Sequence, residues 1–325
     1  MLTGILFALS AGLMWGLVFV GPLLVPEYPA ALQSTGRYLA FGLIALPLAW
    51  LDRRRLSRLT RQDWWEAAKL TTVGNLLYYF FLASAIQRTG APVSTMIIGT
   101  LPVAIAVTAN LLYGQRDGRV LWRQLIPALM LIAVGLVCVN IAELQSLTVT
   151  LDVWRYVSGI ILAFISVICW TWYPLRNARW LRAHADLPPT TWATAQGVAT
   201  LPIALLGYML VCGHLALTDS AFTLPLGPHP EVFIPLMIAI GLFCSWLGTL
   251  CWNEASQRLP TVLIGPLIVF ETLAALCYAF ILRQTWPPLL TLTGIVCLVT
   301  GVIYAMRIKP QPAAAAVSAS LPAGK

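Results

Sequence analysis

Long apolar stretches follow one another along almost the whole chain, separated only by short polar connections. About ten of them lie between Leu2 and Ile308, and each approaches the roughly 20 residues that a helix needs to cross about 30 Å of hydrocarbon. The pattern predicts an all-α polytopic membrane protein with ten transmembrane helices. We number them spans 1 to 10, at residues 2–24, 29–51, 65–87, 90–113, 121–142, 155–175, 190–213, 231–256, 260–282 and 287–307.

The composition excludes a soluble catalytic domain. Only 10% of the residues are charged and the mean hydropathy is +0.82, whereas soluble proteins carry about 25% charged residues. In a soluble protein, a net charge of +8 would suggest that the protein binds nucleic acid. Here the positions of the Lys and Arg residues instead indicate which connections face the cytoplasm, and no nucleic-acid partner is expected. The seven cysteines lie in or beside apolar spans without a CxxC pair, so we expect neither a metal nor another cofactor.

The positive residues are divided unequally between the two sides of the membrane. If the N-terminus is cytoplasmic, fifteen Lys and Arg residues fall on the inner side, and only Arg88, Arg155 and Arg283 fall on the outer side. The positive-inside rule then predicts a bacterial inner-membrane protein with both termini in the cytoplasm. Residues 309–325 are rich in Ala, Pro and Ser, and we predict that they form a disordered cytoplasmic tail.

The two halves of the chain match each other at coherent offsets. At an offset of 155 residues, Gly4 and Trp15 align with Gly159 and Trp170, and at 170 residues Gln87-Arg88 aligns with Gln257-Arg258. We predict two five-helix repeats, at 1–150 and 151–308. Five is odd, so the second repeat enters the membrane inverted. Inverted repeats are typical of secondary transporters, whose site lies near the midplane and is exposed alternately by rocking one repeat against the other.

Glu271 is the foremost candidate for a functional group. It lies about 11 residues into span 9, roughly 16 Å along the helix and close to the midplane. Ionisable groups at that depth are costly unless they are paired or hydrated, so they are functional hypotheses by default. We predict that Glu271 is the proton-coupling group; the alternative is a glutamate that locks helices together through Arg37 or a hydroxyl.

Arg37 is the second ionisable group deep in a span. It could bind a substrate carboxylate, pair with Glu271, or extend outward to the headgroups. Because Arg37 and Glu271 come from different halves, a pair between them would be made or broken by a rocking motion.

Polar and aromatic side chains at similar depth complete the predicted substrate site. On span 3, Asn75 shares a helical face with Tyr78 and Tyr79, and these residues either contact a polar metabolite or bond neighbouring helices. The remaining candidates either wall a cavity or simply pack, and they are Trp15, Trp170, Ser245 and Trp246.

Several short motifs resemble the drug/metabolite transporter superfamily, specifically its ten-span EamA-type members. They are Ala11–Gly16, Gly36–Tyr38, Ala83–Ile86, Leu101–Val103 and Phe270–Thr272. The family often has Glu-Pro in spans 4 and 9; here Leu101-Pro102 keeps the proline and Glu271-Thr272 keeps the glutamate. The resemblance implies export of an amino acid, a related metabolite or a drug, coupled to protons.

We therefore predict a secondary transporter, not an enzyme, that exports a small metabolite such as an amino acid by proton-coupled alternating access. Broad-specificity drug efflux is the alternative, although Arg37 would repel cationic drugs. An integral membrane enzyme for a lipid-linked substrate fits less well, because the acids of the inner face are scattered singly. The expected partners are a small-molecule substrate, protons and membrane lipids, and the protein is expected to be a monomer or a homodimer.

Overall fold

The structure is a computed structural model that describes residues 2–19, 24–89, 94, 97–112, 120–144, 153–219, 222–284 and 286–308. These residues are helical or form short connections, with no strand among them. The prediction of an all-α polytopic membrane protein is confirmed. The division into inverted repeats stays a prediction, and the predicted tail at 309–325 lies outside the described residues.

Every predicted span contains helix. Spans 1, 2, 4 and 5 hold Leu2–Gly16, Ala30–Leu51, Leu101–Leu112 and Trp122–Leu144. Spans 6, 7, 9 and 10 hold Val153–Ala183, Pro189–Thr218, Thr261–Arg283 and Leu289–Arg307. Span 3 consists of Arg61–Thr71, a π-helical turn at Thr72–Leu77, and Tyr78–Thr89; span 8 consists of Pro230–Ile240, a π-helical turn at Gly241–Leu247, and Gly248–Arg258. A 3₁₀ turn, Leu17–Phe19, follows the helix of span 1, and a short helix, Arg53–Leu56, lies between spans 2 and 3.

Five of these helices are long and apolar enough to cross a bilayer by length and composition, and they belong to spans 5, 6, 7, 8 and 10. Spans 1, 4 and 9 contain shorter apolar helices. Span 6 reaches Ala183, beyond its predicted end near residue 175. Arg176, Arg179 and Arg182 thus occupy its last turns instead of a loop, where cations favour the negative end of the helix dipole.

The spans pack across the two halves of the sequence rather than within each half. Span 1 packs along spans 8 and 9, and span 6 packs along spans 3 and 4. Span 2 packs against span 7, and span 5 packs against span 10. The two halves are therefore interleaved. We call spans 1, 8 and 9 bundle A, and spans 3, 4 and 6 bundle B.

Glycine permits the closest of these approaches. A Cβ atom at Gly135 in span 5 would lie 2.7 Å from the carbonyl oxygen of Gly294 in span 10, and a Cβ at Gly294 would lie 2.7 Å from the carbonyl oxygen of Gly135. Helices in lipid associate mainly through such contacts, because lipid tails are as apolar as the side chains and burial alone gives little.

One end of the helix assembly carries most of the arginines, and we call it the basic end. At this end, acidic residues of the first half of the chain bind residues of the second half. The Asp52 carboxylate accepts a hydrogen bond from Thr191 Oγ1 at 2.5 Å, and Glu66 forms an ion pair with Arg176. Asp63 Oδ1 accepts from Trp180 Nε1 at 2.9 Å. Burial alone would raise the pKa of Asp63, but hydrogen bonds from Thr60 and Trp180 favour the carboxylate and hold the pKa below its ordinary value.

At the opposite end, Tyr28 ties the connection after span 1 to the one before span 8. Its ring stacks on Phe233 with centroids 4.2 Å apart, and its hydroxyl donates to the Leu226 carbonyl at 2.9 Å. The same hydroxyl accepts from the backbone N–H of His229. Gly227 has φ +81° and lies against the ring, where no Cβ would fit. The span 2 and span 7 pair is thus tied at both ends.

Replacing Gly135 by alanine should destabilise the protein by about 1–3 kcal/mol, because the added methyl group must push span 10 away. Gly213 is the matched control, since a Cβ there meets nothing within 4 Å and alanine favours the helix. Thermal unfolding in detergent should therefore rank Gly213→Ala at or above the parent, and Gly135→Ala below it. Equal midpoints for the two variants would contradict the close packing.

Single cysteines at two exposed positions should report opposite sides of the membrane. In a background without the native cysteines, Glu27→Cys should react with an impermeant thiol reagent in intact cells, and Ser57→Cys only after the membrane is opened. The reverse pattern would overturn the predicted orientation. Gln33 is less suitable as a reporter, because its side chain is buried and donates to the carbonyls of Val25 and Tyr28.

Candidate functional site

Arg37 of span 2 lies deep in the assembly and is held by the second half of the chain. Its Nε donates to Ser245 Oγ of span 8 at 2.9 Å. Its guanidinium carbon lies 5.0 Å from the centre of the Tyr38 ring, which covers part of the group. The two terminal nitrogens make no hydrogen bond within the described part of the chain. Ser245, predicted as a substrate contact, thus positions Arg37 and leaves its outer edge available.

Small residues bring these side chains together. Gly241 meets span 2 so closely that a Cβ would lie 2.9 Å from Ala40, and this contact places Ser245, one turn further along span 8, beside Arg37. Gly12 meets span 9 in the same way, with a Cβ 3.1 Å from the backbone nitrogen of Glu271. These two close contacts therefore fix how far along their helices the arginine and the glutamate lie.

Glu271 of span 9 lies within electrostatic range of Arg37, Tyr38 and Tyr78. Within the described residues it forms neither an ion pair nor a side-chain hydrogen bond. Arg37 and Glu271 therefore share a neighbourhood without pairing. A charge lock between them, one of the possibilities raised by the sequence, is not formed in this structure.

The predicted polar residues of span 3 fall around the π-helical turn. Tyr78 and Tyr79 lie deep in the assembly beside Arg37, and Tyr79 packs with Trp246 against the cluster of Tyr38 and Phe41. Asn75 is half-buried, and its side chain makes no hydrogen bond to the described residues.

Arg37, Tyr78, Tyr79 and Glu271 combine depth in the protein with partly accessible side chains. They lie within electrostatic range of one another, so one cation, one acid and phenolic hydroxyls share a neighbourhood deep in the protein.

Trp15 of span 1 and Trp170 of span 6 pack against each other. Their rings are edge to face with centroids 5.4 Å apart, and Trp252 lies 5.1 Å from Trp15. We call Trp15, Trp170 and Trp252 the tryptophan layer. The ring centroids of Tyr78 and Trp170 are 5.8 Å apart, so this layer borders the site. Trp246 instead donates through Nε1 to Thr194 of span 7 at 3.3 Å.

The π-helical turn in span 8 supplies a hydrogen-bond acceptor for the tryptophan layer. The backbone N–H of Gly248 donates to the carbonyls of Phe243 and Ser245. It does not donate to the Cys244 carbonyl, which would be its partner in a regular α-helix. The free Cys244 carbonyl accepts from Trp15 Nε1 at 2.8 Å. Isolated π-helical turns are frequent at functional sites, because they release backbone groups in this way.

Two site residues were not selected from the sequence. Tyr38 was noted only as part of a motif, although its position beside Arg37 is a usable signal for a cation–π contact. Trp252 lies near the predicted end of span 8, where tryptophan normally marks the membrane interface, yet it is 1% exposed.

Ser245→Ala should lower stability by about 1–3 kcal/mol, because Arg37 Nε then loses its partner deep in the protein. Ser10→Ala is the control: the Ser10 hydroxyl bonds only the Leu6 carbonyl of its own helix, so its loss should cost less than about 0.5 kcal/mol. Thermal unfolding in detergent measures both. A Ser245→Ala midpoint equal to that of Ser10→Ala would show that Ser245 does not hold Arg37.

Comparison with known proteins agrees with this architecture. The sequence model of the EamA-like transporter family matches residues 2–141. A relative named "Inner membrane protein YtfF", from Escherichia coli (strain K12), is 64% identical over 311 residues, which are 96% of this chain and 97% of the relative. A crystal structure described only as that of a protein superposes with a TM-score of 0.70 over 93% of this chain and 96% of its own, at 18% identity, which shows the fold alone. The chain belongs to the EamA-like transporter family of the drug/metabolite transporter superfamily, a family of membrane transporters.

Proposed function

We propose that the protein is a secondary active transporter that exports a small metabolite such as an amino acid across the inner membrane, coupled to protons. The observation that carries the proposal is the pair of unmatched charges, Arg37 and Glu271, which lie within electrostatic range of each other deep in the protein and form no ion pair with each other in the described part of the chain. Charges are retained in a membrane interior when a substrate or an ion uses them.

Arg37 is suited to a carboxylate. Ser245 holds Nε, so the terminal nitrogens form a fixed edge that matches the two oxygens of a carboxylate. Such bidentate, charge-assisted contacts are among the strongest hydrogen bonds in proteins.

Glu271 is suited to the opposite charge. A carboxylate without an ion-pair partner can hold the ammonium group of the substrate or a proton in turn, and exchange of the two would couple their movements. The proposed substrate is therefore a zwitterion with its carboxylate at Arg37 and its amine towards Glu271.

Two observations support the proposed repeats. The backbone N–H of Tyr78 donates to the Val73 carbonyl in the first π-helical turn, and that of Gly248 donates to Phe243 in the second, at the offset of 170 residues. A Cβ at Gly4 would meet Arg258 and Leu259, and a Cβ at Gly159 would meet Arg88 and Thr89. The two glycines are related by the offset of 155 residues, and the residues they meet are related by the offset of 170.

The interleaved packing changes how alternating access should be pictured. A rocking motion of one sequence half against the other would separate span 1 from spans 8 and 9, and span 6 from spans 3 and 4. We propose instead that bundle A rocks against bundle B about the contact between spans 9 and 4, with spans 2 and 7 as the connecting pair.

Broad drug efflux is the second candidate, and the tryptophan layer favours it, since Trp15, Trp170 and Trp252 offer apolar faces. Arg37 favours anions over lipophilic cations at the same site. Resistance of an expressing strain to cationic drugs but not to anionic ones would support this candidate over the exporter.

Counterflow in proteoliposomes, with labelled amino acids at two pH values, tests the main proposal. Glu271→Gln should still exchange substrate but lose pH dependence and uphill transport driven by a pH gradient. Arg37→Gln should weaken apparent affinity about tenfold or more, because a charge-assisted hydrogen bond contributes about 1.5–3 kcal/mol.

Glu231→Gln is the matched control, because Glu231 is exposed at the opposite end, where its carboxylate meets the His229 ring. It should behave as the parent at both pH values. Full gradient-driven transport by Glu271→Gln would end the proton-coupling role, and exchange of substrates that lack a carboxylate would end the role of Arg37.

A further inference from the structure

A network of buried amides lies between the tryptophan layer and the basic end, and the transport site does not use it. Its members are Tyr173, Asn177, Trp192, Gln196 and Asn253, and all of them are buried. Trp192 Nε1 and Gln196 Nε2 donate to Asn177 Oδ1 at 2.8 and 3.0 Å, and Tyr173 donates to Gln196 Oε1 at 2.9 Å.

This network orients Asn177 towards the other bundle. Because two donors occupy Oδ1, the amide nitrogen of Asn177 faces away from span 7. It donates to Asn253 Oδ1 at 2.8 Å. Asn177 belongs to span 6 of bundle B and Asn253 to span 8 of bundle A, so this hydrogen bond joins the two bundles.

The bond lies between the site and the basic end along both helices. Along span 6, Asn177 is seven residues, or about 10 Å, beyond Trp170, which borders the site. Along span 8, Asn253 is eight residues, or about 12 Å, beyond Ser245. Closer to the basic end, Arg182 Nη2 of span 6 donates to the Leu259 carbonyl after span 8 at 3.3 Å.

Polar atoms next to the bond are buried and have no hydrogen-bond partner among the described residues. They are Trp252 Nε1, Asn253 Nδ2 and Ser256 Oγ, all within two turns of span 8. Buried donors in this state favour any rearrangement that admits water. A contact between spans 6 and 8 that always stayed closed would not be stabilised by such atoms. A contact that opens would let water form hydrogen bonds with them.

We propose that the Asn177–Asn253 hydrogen bond is the gate between the site and the basic end. It is closed in this structure and breaks when bundles A and B separate on that side. The inference rests on the proposed transport function, to which it adds the residues that close one side of the route.

Thiol labelling tests the gate without any knowledge of the substrate. Ser256→Cys, in a background without the native cysteines, places a reporter at a fully buried position one turn beyond Asn253 towards the basic end, where separation of the bundles would expose it. In lipid nanodiscs, a charged methanethiosulfonate reagent should modify it slowly. Asn253→Ala should label about threefold faster or more, in line with interhelical hydrogen bonds in membranes.

Asn177→Ala should have the same effect, and the double variant should label no faster than the faster single variant, because both changes remove one bond. Asn253→Ala is the sharper test, since Asn177 also anchors Trp192 and Gln196. Asn110→Ala is the control: Asn110 is equally buried but bonds only the backbone of Val120, and labelling should stay at the parent rate.

Unchanged labelling in both gate variants, or an equal rise in Asn110→Ala, would overturn the gate. The proposed function is tested independently of the gate, and it would be overturned if the parent protein exchanges no substrate in counterflow. A labelling difference that persists in such a protein would still support Asn177–Asn253 as the closure between the bundles.

Discussion

Close approach of helix backbones is the constraint on which the rest of this structure depends. In hydrocarbon, apolar side chains gain little by meeting one another, so helices associate where small residues let their backbones touch. Here those contacts join the two halves: Gly12 meets Glu271, Gly241 meets Ala40, and Gly135 meets Gly294. A change in any of them would shift the height or rotation of a span, and with it the side chains that the span carries.

Polar groups sit where this packing leaves room for them, and they do so differently in the two halves. Under the proposed duplication, Arg37 corresponds to Trp192, Glu271 to Leu101 and Asn253 to Ala83. The backbone contacts are thus repeated, while the chemistry is not. Arg37 and Glu271 lie deep in the protein, and the buried amides lie between them and the basic end, so under the proposed gate the two ends of the repeated scaffold differ.

Much of the fold follows from the sequence because the bilayer dictates it. The length of each apolar stretch predicts a span, and rare intramembrane charges single out Arg37 and Glu271. The partner of Arg37 was not predictable in the same way, because the role of Ser245 depends on how closely Gly241 meets span 2, and the sequence holds 23 glycines without marking which ones make contact. Asn177 was hidden for another reason: the arginines after it suggested that span 6 had ended, although the helix continues to Ala183.

The partnerless atoms of Trp252, Asn253 and Ser256 have a consequence for the energy source of the cycle. Each such atom raises the free energy of the dry, closed arrangement by about 1–3 kcal/mol relative to a hydrated one. Moving one elementary charge through 100 mV of membrane potential supplies about 2.3 kcal/mol. These quantities are of the same order, so under the proposed coupling one proton would suffice to shift the balance between the closed and open arrangements. Under the proposed gate, hydration of these atoms would offset part of the cost of separating the bundles.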